Sequence, residues 1–181
     1  NGENLTFETA LGVQRPVKLS DGSQIELNTN TRLDVRINSA RRQVRLMRGE
    51  ALFTVAHDPK RPFEVEAGGR VLRAVGTVFS VRVDTTAPAL LVIEGAVSVA
   101  PASGGQRQLV SAGQRFDLAG GITPIALSGD DIERTLAWRR GMIDVAGVRL
   151  GDVVDEVERY TGANFTFADP AIEDFPMAAY F

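Results

Sequence analysis

The sequence predicts a mainly β chain: an all-β domain over residues 1–128, a linker or short helix over 129–137, and a small α/β (βαβ) unit over 138–181. Three observations carry this. Apolar side chains recur at every second position in Phe53 and Val55, Phe63 and Val65, and Phe79, Val81 and Val83. That period puts one face of a strand in a core and the other in water. Turn signals rich in glycine, proline and aspartate separate the short runs. Beyond residue 138 the period lengthens, and Leu150, Val153, Val154, Val157 and Tyr160 fall on one helix face. Many short strands with frequent turns suit a sandwich, a roll or a short solenoid, and the sequence leaves these three open.

Taken in order, residues 1–13 show little periodicity and are expected to fray. Val17 and Leu19, then Ile25 and Leu27, flank Ser20-Asp21-Gly22-Ser23, a hairpin signal because glycine supplies positive φ without a Cβ clash. Asn28 to Thr31 reads as a polar loop. Leu33, Val35 and Ile37 form a third strand, and Val44 and Leu46 a fourth. The stretch from Gly49 to Val65 breaks at Asp58-Pro59 and Arg61-Pro62, since proline lacks the N–H that a strand interior needs. It reads strand, corner, strand, and a turn then leads to the strand of Phe79 and Val81. Leu91, Ile93, Val97 and Val99 continue the alternation across Glu94-Gly95, and Leu109, Val110, Phe116 and Leu118 add short strands. Gly49-Glu50-Ala51 and Glu94-Gly95-Ala96 each precede a strand, an echo too faint to select the solenoid. Ser128-Gly-Asp-Asp131 ahead of Ile132, Leu136 and Trp138 predicts a capped helical turn or two. Met142, Ile143 and Val145, and then Phe165 and Phe167, predict strands on either side of the helix that Gly162 ends, with another strand beginning at Met177.

Composition narrows the function classes. The chain has 181 residues, a net charge of −3 and no cysteine, so it carries no disulfide or thiolate chemistry. The charge argues against general nucleic-acid affinity. No apolar run approaches the ~20 residues of a bilayer span. No signal-peptide pattern heads the chain, which is expected to be a mature product or an excised fragment. His57 is the single histidine, and a zinc site needs three or four nitrogen, sulfur or carboxylate ligands, so no metal or cofactor is expected. No Gly-x-Ser-x-Gly elbow is present, and the chain is not expected to be an enzyme in the turnover sense. Arg32, Arg36, Arg41, Arg42, Arg45 and Arg48 lack interleaved aromatics and read as the solvated face of two strands. Residues 144–181 hold eight acids and two arginines, a net −6, and the rest is slightly basic. Such asymmetry can steer a partner.

Three motifs resemble a known family. G-E-A-x-F-x-V-A-x-D-x-x-R-P-F-x-V over 49–65 and A-x-G-T-x-F-x-V over 74–81 resemble the periplasmic domain of FecR-type anti-sigma regulators. Leu19 to Thr29 fits the same family's L-P-D-G-S segment, with Ser20 in place of proline. W-x-x-G-x-I from Trp138 and L-x-D-V-V-D-E-V-x-R-Y-x-G over 150–162 resemble the STN module, of the secretin and TonB receptor N-terminal type, here cut short.

The resemblance implies a periplasmic sensor region, anchored in the inner membrane of the full-length protein by a helix upstream of this chain. Its implied partner is the N-terminal signalling domain of a TonB-dependent outer-membrane transporter, in control of iron and siderophore uptake genes. The sigma factor is reached only through a cytoplasmic segment that is not in this chain. The alternative is a structural or ligand-binding cell-envelope β-domain with no signalling role. The expected partner surface is the acidic helix face and exposed strand edge of the tail: Leu150, Asp152, Asp155, Glu156, Arg159, Phe165 and Phe167. The resemblance also implies self-cleavage between Gly76 and Thr77 in the full-length protein, where a hydroxyl adjoins an unshielded glycyl carbonyl. Apart from the resemblance, His57 is a candidate proton acceptor for that step only if folding brings it near.

Overall fold

The computed structural model describes residues 2–85, 87–144 and 147–177. Period-two alternation builds β1 (Glu3–Glu8), β2 (Arg15–Lys18), β3 (Gln24–Leu27), β4 (Arg32–Ile37) and β5 (Arg42–Arg48). It continues through β6 (Glu50–Thr54), β7 (Phe63–Ala67), β8 (Arg70–Ala74), β9 (Val78–Arg82) and β10 (Ala89–Glu94). The last strands are β11 (Ala96–Pro101), β12 (Gln108–Ser111), β13 (Gln114–Asp117) and β14 (Ile125–Ala126). They form two seven-stranded sheets, ordered β1-β4-β5-β7-β8-β11-β12 and β14-β13-β10-β9-β6-β3-β2. The β fold left open between sandwich, roll and short solenoid takes the form of two sheets around one core. Consecutive hairpins go to alternate sheets: β7 and β8 to the first, β9 and β10 to the second, β11 and β12 to the first again. A single strand, β6, leaves the first sheet between β5 and β7, and the chain therefore returns running the same way. This makes β5 and β7 a parallel pair among antiparallel neighbours.

Inward faces of both sheets share one core. Phe53 on β6 stacks on its register partner Phe79 on β9, with ring centroids 5.0 Å apart, and meets Phe63 from the other sheet at 6.2 Å. All three are fully buried. Burying an aromatic ring of this kind contributes about 1.5–3 kcal/mol, before the further gain from ring–ring geometry.

Two expectations for this unit are corrected. Residues 3–8 do not fray but form the edge strand β1, paired antiparallel with β4 from Glu3↔Ile37 to Glu8↔Arg32. Its outward residues are polar and its partner lies some thirty residues away, so local periodicity carried little signal. The segment Asn28–Thr31 is polar but interior: Asn28, Thr29 and Thr31 are fully buried, together with Thr9 and Glu50. Burial is tolerated because their polar groups find partners. Asn28 Nδ2 donates to Glu50 Oε2 at 2.9 Å, Thr9 Oγ1 donates to the Asn28 carbonyl at 2.6 Å, and the Glu50 N–H donates to Thr31 Oγ1 at 3.0 Å.

The chain divides into two compact units, Asn1–Leu127 and Ser128–Phe181. In the second, α1 (Gly129–Thr135) is capped by Ser128, whose Oγ accepts the Asp131 N–H at 3.1 Å, as its capping sequence predicts. A 3-10 turn over Ala137–Arg140 buries Trp138. The helix α2 (Leu150–Thr161) ends at Gly162, where φ is +70°. A second 3-10 turn spans Pro170–Asp174. The βαβ expectation is corrected here among the described residues: Phe165–Phe167 is not a strand, and of Met142–Asp144 only Asp144 takes part in β pairing, as a single bridge residue. Val145 and residues 178–181, where the strands were expected to continue or begin, lie outside the described residues. A two-strand pair with no third strand is marginal in water. The Phe165 N–H is instead taken by Glu158 Oε1 at 2.5 Å, and Arg149 pairs as an isolated bridge with Pro176.

Candidate functional site

Gly76 and Thr77 occupy the corner where the chain leaves the first sheet at β8 and enters the second at β9. Both flanks are fixed. Ala74 pairs with Phe63 and Val97, and Val78 with Thr54, while the Val55 N–H donates to the Thr77 carbonyl at 2.9 Å. Gly76 has φ +63°, a conformation that side chains disfavour. A Cβ there would also lie 2.7 Å from His57 Nδ1. The sequence therefore needs glycine at 76 for two reasons, handedness and the approach of the imidazole. Thr77 is 3% exposed, and its Oγ1 is buried without a hydrogen-bond partner. An unsatisfied buried hydroxyl costs about 1–3 kcal/mol, and such strain gathers at reactive sites. Gly95, at the next corner between the sheets, leaves room for the threonine: a Cβ on it would lie 2.9 Å from Thr77 Cγ2 and 3.5 Å from the Gly76 carbonyl oxygen.

The segment carrying His57 is held by Arg42, which sequence reasoning placed on a solvated face. Arg42 is 1% exposed. Its Nη1 donates to Asp21 Oδ2 at 2.9 Å and to the Ala56 carbonyl at 2.8 Å. Its Nη2 reaches the Asp58 carbonyl at 3.3 Å and its Nε the Arg61 carbonyl at 2.6 Å, with the guanidinium over the Phe63 ring. The residues before and after His57 are thus tied to one buried cation. Asp58, the sequence neighbour of His57, turns to Arg61, whose Nε donates to Oδ2 at 2.8 Å. That hydrogen bond holds the Asp58 carboxyl below the usual carboxylate range. The remaining arginines of the cluster are exposed on the strand surface, where Arg32 meets Glu8 at 2.6 Å and Arg45 meets Glu66 at 3.9 Å. Signs alternate across this face, unlike the continuous positive groove of a single-strand binder.

In the second unit the expected partner residues are dispersed in role. Asp152 is engaged by Arg149, at 3.0 and 3.2 Å, and Arg149 also reaches Asp174 at 3.0 Å, which ties the start of α2 to the second 3-10 turn. Hydrogen bonding to Arg149 lowers the Asp152 carboxyl, and the same two acids raise the Arg149 guanidinium. Glu156 pairs with Arg159 at 2.9 Å, both side chains largely covered. Asp155 is exposed, Leu150 and Phe167 are half-buried, and Phe165 is 53% exposed. Sequence reasoning missed Phe175, 65% exposed, and Ile172, which add apolar surface to this acidic unit. A groove of about 300 Å³ along α1 and the following turn is lined by Asp130, Glu133, Arg134, Arg140 and Asp144, and is too charged to resemble an apolar ligand pocket.

Among solved structures, two crystal structures of a candidate anti-sigma factor from Parabacteroides distasonis ATCC 8503 share the fold, each with a TM-score of 0.79 and 20% identity. Each alignment covers 98% of this chain and 84% of that one. No curated protein matches the chain. A family model described as FecR protein matches residues 6–98, just over half of the chain, including β6, the His57 corner and the Gly76–Thr77 corner. The chain belongs to the FecR protein family.

Proposed function

We propose that this chain is the periplasmic sensor region of a FecR-type anti-sigma regulator, and that it binds the signalling domain of a TonB-dependent outer-membrane transporter to control iron and siderophore uptake genes. Family membership supports the regulator class. The observation that carries partner binding is the exposed apolar set Phe165, Ile172 and Phe175 on a unit whose segment 144–181 has a net charge of −6. Apolar anchors inside a charged rim are the usual anatomy of a docking surface. With no strand flanking α2 among the described residues, docking runs through the α2 face and these side chains rather than through a sheet edge. Asp155 is exposed and available to a basic partner, while Asp152 and Glu156 shape the unit through their arginines. Titration calorimetry of the chain against transporter signalling domains tests this. The double substitution Phe165→Asp, Phe175→Asp is expected to weaken binding at least tenfold, on the order of the cost of truncating interface anchors. Unchanged affinity would move the partner surface onto the β unit.

The same reading includes one covalent step, scission of the Gly76–Thr77 bond. The orphaned Thr77 hydroxyl beside a positive-φ glycine supports it. Thr77→Ala removes the nucleophile and is expected to give one band on a denaturing gel where wild type gives two. Thr77→Ser retains a hydroxyl and is expected to retain some cleavage. An intact wild-type band after prolonged incubation counts against the step and leaves the regulator reading standing.

A further inference from the structure

We infer that His57 is the proton-transfer group for scission at Gly76–Thr77, an assignment that rests on the cleavage reading above. The ring is placed by long-range structure. His57 follows β6, and Arg42 grips the carbonyls on either side of it, Ala56 at 2.8 Å and Asp58 at 3.3 Å. The imidazole lies against Gly76 so closely that a Cβ on residue 76 would stand 2.7 Å from Nδ1, 3.1 Å from Cβ and 3.2 Å from Cγ of the histidine. Asp58, its sequence neighbour, spends both carboxylate oxygens on Arg61 and Lys60, so it does not occupy the ring. His57 is exposed, which connects the corner to water.

The chemistry balances with these groups and one water. Thr77 Oγ1 forms a bond to the Gly76 carbonyl carbon and passes its proton to His57. His57 returns that proton to the Thr77 nitrogen as the C–N bond breaks. The product is an ester between the Gly76 carbonyl and Thr77 Oγ1, with a free Thr77 amine. Water then hydrolyses the ester, giving a Gly76 carboxylate and restoring the hydroxyl. Turning Thr77 about χ1 toward the carbonyl breaks no hydrogen bond, because Oγ1 makes none. Glycine at 95 leaves the space for that turn, since a Cβ there would press on Thr77 Cγ2. A positioned proton-transfer group contributes about 10²–10⁴-fold to such a step.

The test is timed cell-free synthesis of the whole chain, with aliquots run on denaturing gels for fragments 1–76 and 77–181. His57→Ala is expected to slow cleavage by about a hundredfold or more, to melt like wild type, and to regain rate when free imidazole is added. Rescue is the decisive readout, because a ring that only fills space is not replaced by dissolved base. Cleavage of His57→Ala at the wild-type rate, with Thr77→Ala blocked, overturns the role of His57 and leaves the cleavage reading intact. Slow cleavage with a native melt and no response to imidazole also overturns it, reducing the ring to a spacer. A wild-type chain that never cuts removes the cleavage reading itself, and this assignment with it.

Discussion

Gly49→Ala is expected to destabilise the β unit by about 4 kcal/mol or more, the range in which single substitutions become exceptional. Gly49 joins β5 in one sheet to β6 in the other, at φ +87°. A Cβ there would lie 2.2 Å from Thr31 Oγ1 and 2.5 Å from Thr31 Cα. A side-chain tip could swing away, but the Thr31 backbone cannot. Its amide accepts no slack, donating to Thr9 Oγ1 at 2.9 Å, and its hydroxyl donates to the Glu50 carbonyl at 3.0 Å. Displacing Thr31 opens the buried set of Thr9, Asn28, Thr29 and Glu50, none of which has water to fall back on. Small domains hold only about 5–15 kcal/mol in total. Urea unfolding measures the effect, and a shift below about 1 kcal/mol, the ordinary size for a point substitution, would show that this corner repacks.

Arg42→Ala carries the second large effect, an expected loss of about 3–5 kcal/mol, the cost of stripping one partner from a buried ion pair. The guanidinium is fully covered and Asp21 nearly so. Without it the Asp21 carboxylate keeps only its bonds to the Ser23 N–H and hydroxyl, and the Ala56, Asp58 and Arg61 carbonyls lose this donor. Arg42→Lys is not conservative here, because a single ammonium cannot span carbonyls that a planar fork reaches from three nitrogens. In a double-mutant cycle, removing Asp21 together with Arg42 is expected to cost less than the two single losses combined. Added salt is expected to leave the coupling nearly unchanged, since buried pairs are poorly screened. A coupling that vanishes in salt would place the pair in water and contradict the burial.

These two residues also mark where the sequence was and was not legible. Alternation alone finds β4 from Leu33, Val35 and Ile37, and the turn at Asp21-Gly22 between β2 and β3. The same alternation could have found Arg42, which shares parity with Val44 and Leu46 and therefore points inward. Grouping it with its neighbours by charge hid that signal. Helix α2 is legible because its apolar side repeats at the helical period. Its supposed flanking strands are not, since a pair such as Phe165 and Phe167 alternates whether or not a sheet exists to receive it. The Gly76–Thr77 dipeptide is visible in the sequence. The approach of His57, nineteen positions earlier, depends on a corner held by Arg42 and on two sheets meeting, which no local pattern reports.

The dealing of hairpins to alternate sheets has a mechanical consequence. A break after Gly76 divides β8 from β9, yet β8 stays laddered to β11 through five register pairs and β6 to β9 through five more, one ladder in each sheet. Phe53 and Phe79, on opposite sides of the break, remain stacked in the core. The cut chain is then two interlocked pieces whose connection is held by strand pairing instead of a covalent bond. Tension applied between the two pieces must shear two ladders in different sheets at once, so they stay joined at rest and separate only above a threshold pull. In an intact chain the same pull can only unfold the unit; in a cut one it releases the portion that follows Gly76 from the portion that precedes it.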